Sequence, residues 1–316
     1  MIKKLFFILI LLVTISANGQ ELSGTLTVFH AGSLSVPFKQ IAEQFIKLHP
    51  KVEVLLEAAG SRDCARKISD MKRPCDVFGS ADYLVIDNML IPEHADWNIK
   101  FATNEMCIVY HDASRRSKEI TADNWFEILA DPEIAYGRAN PNADPCGYRA
   151  VLTMQLAEKH YNRPGLASQL INRDSCVMRP KETELLALLE SNTIDYIFLY
   201  RSVAEQHQLK YLVLPDQINL KNAGLAELYK TSSTELSGKN PGEVVVQHGE
   251  PMVYGVTIPR SSPNPTAAIA FVKFMLSADQ GMKLIEQLGQ PSAIPSICET
   301  FDKLPEELKP FALPKK

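Results

Sequence analysis

Five short stretches hold the side chains with chemistry. NPNADPCGYR, residues 140–149, gathers a carboxylate (Asp144), a thiol (Cys146), a phenol (Tyr148) and a guanidinium (Arg149) around two chain-breaking residues. Asp144 followed by Pro145 has the form of a helix N-cap with proline at the first helical position, so the carboxylate serves equally to cap a helix or to face a cleft. Cys146 has the makings of a nucleophile, which needs a base, and neither His160 nor His207 lies in a motif that ties it to this thiol. Tyr148 and Arg149 are expected to pack and to pair charges at the surface. Ala31-Gly32-Ser33 and Ala59-Gly60-Ser61 share another design: a strand-like run ends, glycine lets the chain turn tightly, and serine stands where a helix N-cap belongs. One such serine would simply cap its helix. Two helix N-termini facing one cleft present N–H donors and partial positive charge to an oxyanion. Gly79-Ser80-Ala81-Asp82 repeats the theme more weakly. In RPKETEL, Glu182 and Glu184 open a further helix, where acids suit the helix dipole or put a carboxylate into the cleft.

The elements that must position these groups alternate between strand and helix, which predicts an α/β protein with largely parallel sheets. TLTVFH (25–30), VEVLLEA (52–58) and CDVFGSADY read as strands. LSVPFKQIAEQFIKLH (34–49) reads as an amphipathic helix with Phe38, Ile41, Phe45 and Leu48 on one face, and SRDCARKISDMK as a short helix. FATNEMCIVYHD (101–112) and MVYGVTIP (252–259) are two further strands far apart in sequence. Between them IAYGRA, YRAVLTMQLAEKHY, TELLALLES and IDYIFLY suffice for a second α/β unit. The expected organisation is therefore a first lobe of residues 20–110 plus 253–316, interrupted by a second lobe of residues 111–252. The two strand crossings form a hinge, with a ligand cleft between the lobes. Residues 230–249 are expected to form a loop or hairpin, and residues 267–289 one or two helices.

Composition narrows the function. The chain has 316 residues, 46% apolar and 22% charged, enough for two cores. Its first residues carry Lys3 and Lys4, an apolar run from Leu5 to Val13 and then small residues, the form of a secretory signal over residues 1–19 with the cut before Gln20. That apolar run is well short of the roughly 20 residues of a spanning helix. No cysteine stands at the cut, which argues against a lipid anchor. Loss of Lys3 and Lys4 takes the formal net charge from −4 to −6, and an acidic chain without clustered cations is a poor partner for nucleic acid. The six cysteines, Cys64, Cys75, Cys107, Cys146, Cys176 and Cys298, match no zinc spacing.

HAGSLSVPF, EAAGSRDCARKI, GSADY, IPEHADWNIKFATNEMCIVY, NADPCGYR, KETELLALLES and RSVAEQH together resemble the archaeal-type tungstate/molybdate-binding proteins that serve ABC importers. The resemblance runs from about Thr25 to Gln290. It implies a type II periplasmic-binding-protein fold, with two α/β lobes joined by a two-strand hinge and a tetrahedral oxyanion held in the cleft. Ser33 and Ser61 match the family serines that donate to the oxyanion, and the phenol of Tyr200 in FLYRS is a further candidate by position. The family's carboxylate pair, which brings the metal centre to six oxygens, falls on Asp144 and Glu182, with Glu184 close by. The implied protein is an exported, periplasmic, monomeric and non-catalytic carrier without a cofactor. It hands tungstate or molybdate to a membrane permease and holds the anion without an Arg or Lys counter-ion. A carrier of sulfate or phosphate, an exported hydrolase built on Cys146 and a ligand sensor docking a receptor are the competing readings.

Overall fold

The computed structural model describes residues 21–240 and 242–315, so the expected export signal lies outside the described residues. The first lobe alternates β1 (Gly24–Ala31), α1 (Ser35–Leu48), β2 (Val52–Ala59), α2 (Ser61–Ser69), β3 (Val77–Ser80), α3 (Tyr83–Met89) and β4 (Ile99–Thr103). The second contains β5 (Met106–Tyr110), α4 (Trp125–Ala130), β6 (Tyr136–Ala139), α5 (Pro145–His160), α6 (Leu166–Ile171), β7 (Cys176–Arg179), α7 (Glu184–Glu190), β8 (Tyr196–Tyr200), α8 (Arg201–Gln206) and β9 (Lys210–Val213). After α9 (Ala226–Tyr229) comes a hairpin of β10 (Ser233–Ser237) and β11 (Val244–His248). The chain then returns to the first sheet as β12 (Val253–Thr257) and finishes with α10 (Pro265–Leu276), α11 (Gly281–Gln287) and the short parallel pair β13 (Ser296–Cys298) and β14 (Ala312–Pro314).

Both sheets follow one plan. Their orders are β2-β1-β3-β12-β4 and β7-β6-β8-β5-β9, and in each the strand that has just crossed from the other lobe, β12 or β5, runs antiparallel to both of its neighbours. The other pairings are parallel, so the C-terminal ends of β1, β2, β6 and β8 lead into the serine, aspartate and tyrosine positions singled out above. One boundary moves from its expected place. Residues 101–112 read as a single strand of the first lobe ending near Tyr110. Instead the run splits at Asn104–Glu105, and Met106–Tyr110 belongs to the second sheet. Asn104 and Glu105 supply the break: the Asn104 Oδ1 accepts the Glu105 N–H at 2.9 Å, and the Glu105 carbonyl accepts the Arg201 N–H at 3.1 Å, turning the ladder from one sheet to the other.

The two crossings are tied to each other by Asn219-Leu220, whose carbonyls accept the N–H groups of Met106 at 2.9 Å and Met252 at 2.8 Å. Leu220 adopts φ 61° while fully buried, a left-handed conformation that costs a non-glycine residue about 1–2 kcal/mol. The paired crossings and a packed side chain hold it there.

In α1, Phe38, Ile41 and Phe45 are buried at helical spacing, as the pattern predicts, but Leu48 is 59% exposed. It is the last helical residue, and beyond it the chain turns into β2, leaving no neighbouring element to cover it. Phe45 meets Phe271 and Phe274 of α10 edge-on, with ring centroids at 5.2 and 5.7 Å, so the C-terminal segment closes the core of the first lobe. Phe45→Ala is expected to lower the unfolding free energy by about 3–5 kcal/mol in denaturant titration. A change below about 1 kcal/mol would show that the C-terminal helices do not complete this core.

Candidate oxyanion-binding site

The residues expected at the site lie on a closed circuit of contacts between the lobes. Tyr254 donates its O–H to Ser33 Oγ at 3.0 Å, and its ring stands 6.3 Å from that of Tyr200. Arg149 Nη1 donates to the Tyr200 phenol at 3.0 Å and to the Ala81 carbonyl at 2.7 Å, while the Ala81 N–H donates to Ser61 Oγ at 3.0 Å. Next to Ser61, Gly60 faces Asp144: a Cβ built on the glycine would lie 3.1 Å from the Asp144 Cβ. Asp144 accepts the Cys146 N–H at 2.8 Å as the N-cap of α5 and the Glu182 N–H at 3.1 Å with its other oxygen. Glu182 completes the ring, because a Cβ on Gly32, beside Ser33, would sit 2.7 Å from both of its carboxylate oxygens. Ser33, Ser61, Asp144, Glu182 and Tyr200 are each at most 1% exposed. Glu184, the nearby alternative, opens α7 as an acid of its first turn, and Ser80 donates to the Asp82 carbonyl at 2.6 Å.

The serines do not cap their helices. Ser33 lies within a 3-10 turn at residues 32–34, Ser61 is the first residue of α2 behind Gly60, and neither element has a side-chain cap. Instead, each hydroxyl oxygen accepts one bond: Ser33 from Tyr254, Ser61 from Ala81 and Tyr200 from Arg149. Each hydroxyl therefore keeps its own proton for another acceptor, and none is found for it among the described residues. Three hydroxyls that each accept from the protein and keep a proton to donate suit an anion.

The glycines also serve another purpose than the one expected. Neither Gly32 nor Gly60 has a left-handed φ, so no tight turn requires them. They are small so that Glu182 and the Ala143-Asp144 peptide can close on them from the opposite lobe; the Arg62 and Asp63 N–H groups at the start of α2 donate to the Ala143 carbonyl at 3.1 and 3.3 Å.

Glu182 is the electrostatic focus. Both of its carboxylate oxygens are buried without a hydrogen-bond partner. Burial, and then the neighbouring Asp144 carboxylate, push its pKa well above the ordinary carboxylate range. Cys146 is also shielded: its thiol points at the Phe198 carbonyl, 3.6 Å away, and burial with the Asp144 charge raises its pKa far from thiolate chemistry.

Tyr148 and Arg149 correct the sequence reading. They are 2% and 3% exposed and belong to no surface pair; they reach across the cleft to Asp82, the N-cap of α3. The Tyr148 phenol donates to Asp82 Oδ2 at 2.5 Å, and Arg149 Nη2 lies 3.2 Å from the same oxygen. A guanidinium thus stands one hydrogen bond behind Tyr200, with Asp82 neutralising it. At the cleft mouth, Arg66 Nη1 donates to the Asn142 carbonyl at 2.7 Å and Nη2 to Ser237 Oγ at 2.8 Å, strapping the β10–β11 hairpin over α2. Asp82, Arg149 and Tyr254 were not legible as site residues, since their partners across the site lie 51–221 positions away. The adjacency of GSADY and GYR to the serine and aspartate motifs was the only available signal.

The family model described as bacterial extracellular solute-binding protein matches residues 26–289. An uncharacterized solute-binding protein of Petrotoga mobilis is 48% identical over 312 residues, 98% of this chain and 96% of that protein. The molybdate/tungstate-binding protein WtpA of Thermococcus kodakarensis is 38% identical over 321 residues, 93% of this chain and 89% of that protein. Among solved structures, the periplasmic molybdate-binding protein of Azotobacter vinelandii superposes with a TM-score of 0.62 at 18% identity, covering 84% of this chain and 98% of that one. The sulfate-binding protein SubI of Mycobacterium tuberculosis H37Rv gives 0.61 at 16% identity, covering 86% and 88%. At those identities the likeness is one of fold, and it establishes the two-lobed α/β architecture.

Two outcomes follow from this geometry. A side chain at Gly60 would collide with Ala143, so Gly60→Ala should hold the lobes apart; small-angle scattering with ligand added should show a larger radius of gyration than the parent protein, and an unchanged radius would contradict the contact. Glu182 gives a pH dependence whose sign is set by its raised pKa. Below the unfolded value, near 4.5, both states carry the proton and there is no penalty; as pH rises the unfolded acid ionises while the folded one resists, and stability falls. Glu182→Gln should therefore raise the melting temperature of the ligand-free protein at pH 7 and leave it nearly unchanged at pH 4, whereas equal shifts at both would contradict the assignment.

Proposed function

Because the chain belongs to the bacterial extracellular solute-binding proteins, we propose that it captures tungstate or molybdate in the periplasm as a monomer and delivers it to the permease of an ABC importer. The observation that carries this reading is Glu182: a buried carboxylate with both oxygens unpartnered, beside Asp144 and opposite the glycine that precedes Ser33. Two carboxylates beside a dianion repel one another in a shielded cleft unless a positive centre lies between them. The hexavalent metal of tungstate or molybdate is such a centre, and its shell accepts further hard oxygen ligands. The sulfur of sulfate and the phosphorus of phosphate do not expand their shells in this way, so Asp144 and Glu182 would repel those anions. Ser33, Ser61 and Tyr200 supply O–H donors to the oxo groups. The name of the Thermococcus relative supports the same ligand.

A carrier of another oxyanion is the second reading. It is favoured by the raised pKa of Glu182, since a protonated acid would add a donor rather than a metal ligand. Competition separates the two: millimolar sulfate should leave tungstate bound, and its displacement would favour the second reading. In calorimetry, tungstate is expected to bind at nanomolar Kd or tighter. Each lost hydrogen bond to a charged group is worth about 1.5–3 kcal/mol, so Ser33→Ala with Ser61→Ala should weaken binding by about two to four orders of magnitude. An unchanged affinity would overturn the site.

A further inference from the structure

Two residues at the lobe crossings, Asn104 and Tyr254, set the direction of a hydrogen-bond chain that ends on Ser33. Asn104 occupies the link between β4 and β5, and Tyr254 lies on β12 just after the return crossing; they are 4% and 0% exposed. The backbone fixes the Asn104 amide. Its Oδ1 accepts the N–H groups of Glu105 at 2.9 Å and Ser202 at 3.4 Å, so Nδ2 must face the other way, toward Ser202 Oγ at 2.7 Å and the Tyr254 phenol at 2.9 Å. An amide nitrogen only donates. The phenol oxygen therefore accepts there, and its single proton goes to Ser33 Oγ at 3.0 Å. Burial pushes the Tyr254 phenol up to about 12, so that proton remains in place across the physiological range. Gln290 Nε2 donates to the Ser33 carbonyl at 3.2 Å and holds the backbone of the same residue. Because the phenol proton is spent on Ser33 Oγ, the Ser33 hydroxyl cannot give its own proton to Tyr254 and keeps it for another acceptor.

We infer that Tyr254, itself oriented by Asn104, is a positioning residue that reserves the Ser33 proton for the bound oxyanion. The inference rests on the function proposed above. Without the Tyr254 hydroxyl, the Ser33 oxygen would lose the donor that restrains its rotation and polarises its O–H bond. With it, the proton is kept from the phenol before the anion arrives, which is the sense in which preorganisation raises affinity.

A double-mutant cycle tests this by calorimetric titration with tungstate. Tyr254→Phe keeps the ring and its edge contact with Phe101, at 5.9 Å between centroids. It should weaken binding about tenfold in the parent background, which is ~1.4 kcal/mol. In the Ser33→Ala background the same substitution should change the affinity less than twofold, because the group it acts through has gone. Equal weakening in both backgrounds, as a structural or hinge role would give, overturns the relay, and so does an unchanged affinity in the parent background. A parent protein that binds neither tungstate nor molybdate overturns the proposed function and the relay with it. Binding by the parent with equal factors in the two backgrounds overturns the relay alone.

Discussion

The approach of two buried carboxylates to two glycines across the cleft is the contact on which the rest of the structure depends. Asp144 and the Ala143 carbonyl close on Gly60 and the Glu182 carboxylate on Gly32, so a side chain on either glycine would have to displace them. Asp144 keeps two N–H donors, whereas Glu182 has none on its carboxylate. Burying such a group opposes closure, and other bonds between the lobes must offset it. They include the Tyr148 and Arg149 contacts with Asp82, the donation by α2 to the Ala143 carbonyl and the clasp of Arg66 on Asn142 and Ser237. In the proposed function the oxyanion's metal centre relieves the same penalty. Ligand and closure are then coupled through one carboxylate, since the anion stabilises the closed arrangement by its differential affinity for it.

The charge arrangement around the site separates holding from releasing. Arg149 is buried beside Tyr200, where Asp82 shares its charge, the Ala81 carbonyl takes one of its donors and the Tyr200 phenol another. The groups with protons to offer are neutral hydroxyls: Ser33, Ser61 and Tyr200. A cation neutralised by Asp82 stands one bond further out, behind Tyr200. Opening the lobes would break the Asp82–Arg149 pair and withdraw Tyr200 from the two serines in a single movement, since these groups lie on opposite sides of the cleft.

Much of this was legible in the sequence because local patterns carried it. Strand and helix periodicity placed β1, α1, β2 and α5 to within a few residues, and Asp144-Pro145 marked a helix start that is present. Resemblance, not periodicity, singled out Asp144 and Glu182 as a pair. What escaped depended on contacts between distant segments. The crossing at Asn104–Glu105 lies inside a run that reads as one strand, because two polar residues do not interrupt an extended pattern. Gly32 and Gly60 look like turn residues until the opposite lobe is present. Arg149 looks like a surface charge until Asp82 faces it, and Leu48 shares the periodicity of a buried face that ends one turn before it does.

The proposed function requires Asp144 and Glu182 to reach the metal of the bound anion. Tungsten L3-edge X-ray absorption on the tungstate-loaded protein counts the oxygens directly. Six are expected, four short and two longer, reverting to four when Asp144 and Glu182 are both replaced by alanine. Four oxygens at a single distance in the parent protein would contradict it and leave the two carboxylates as hydrogen-bonding neighbours alone.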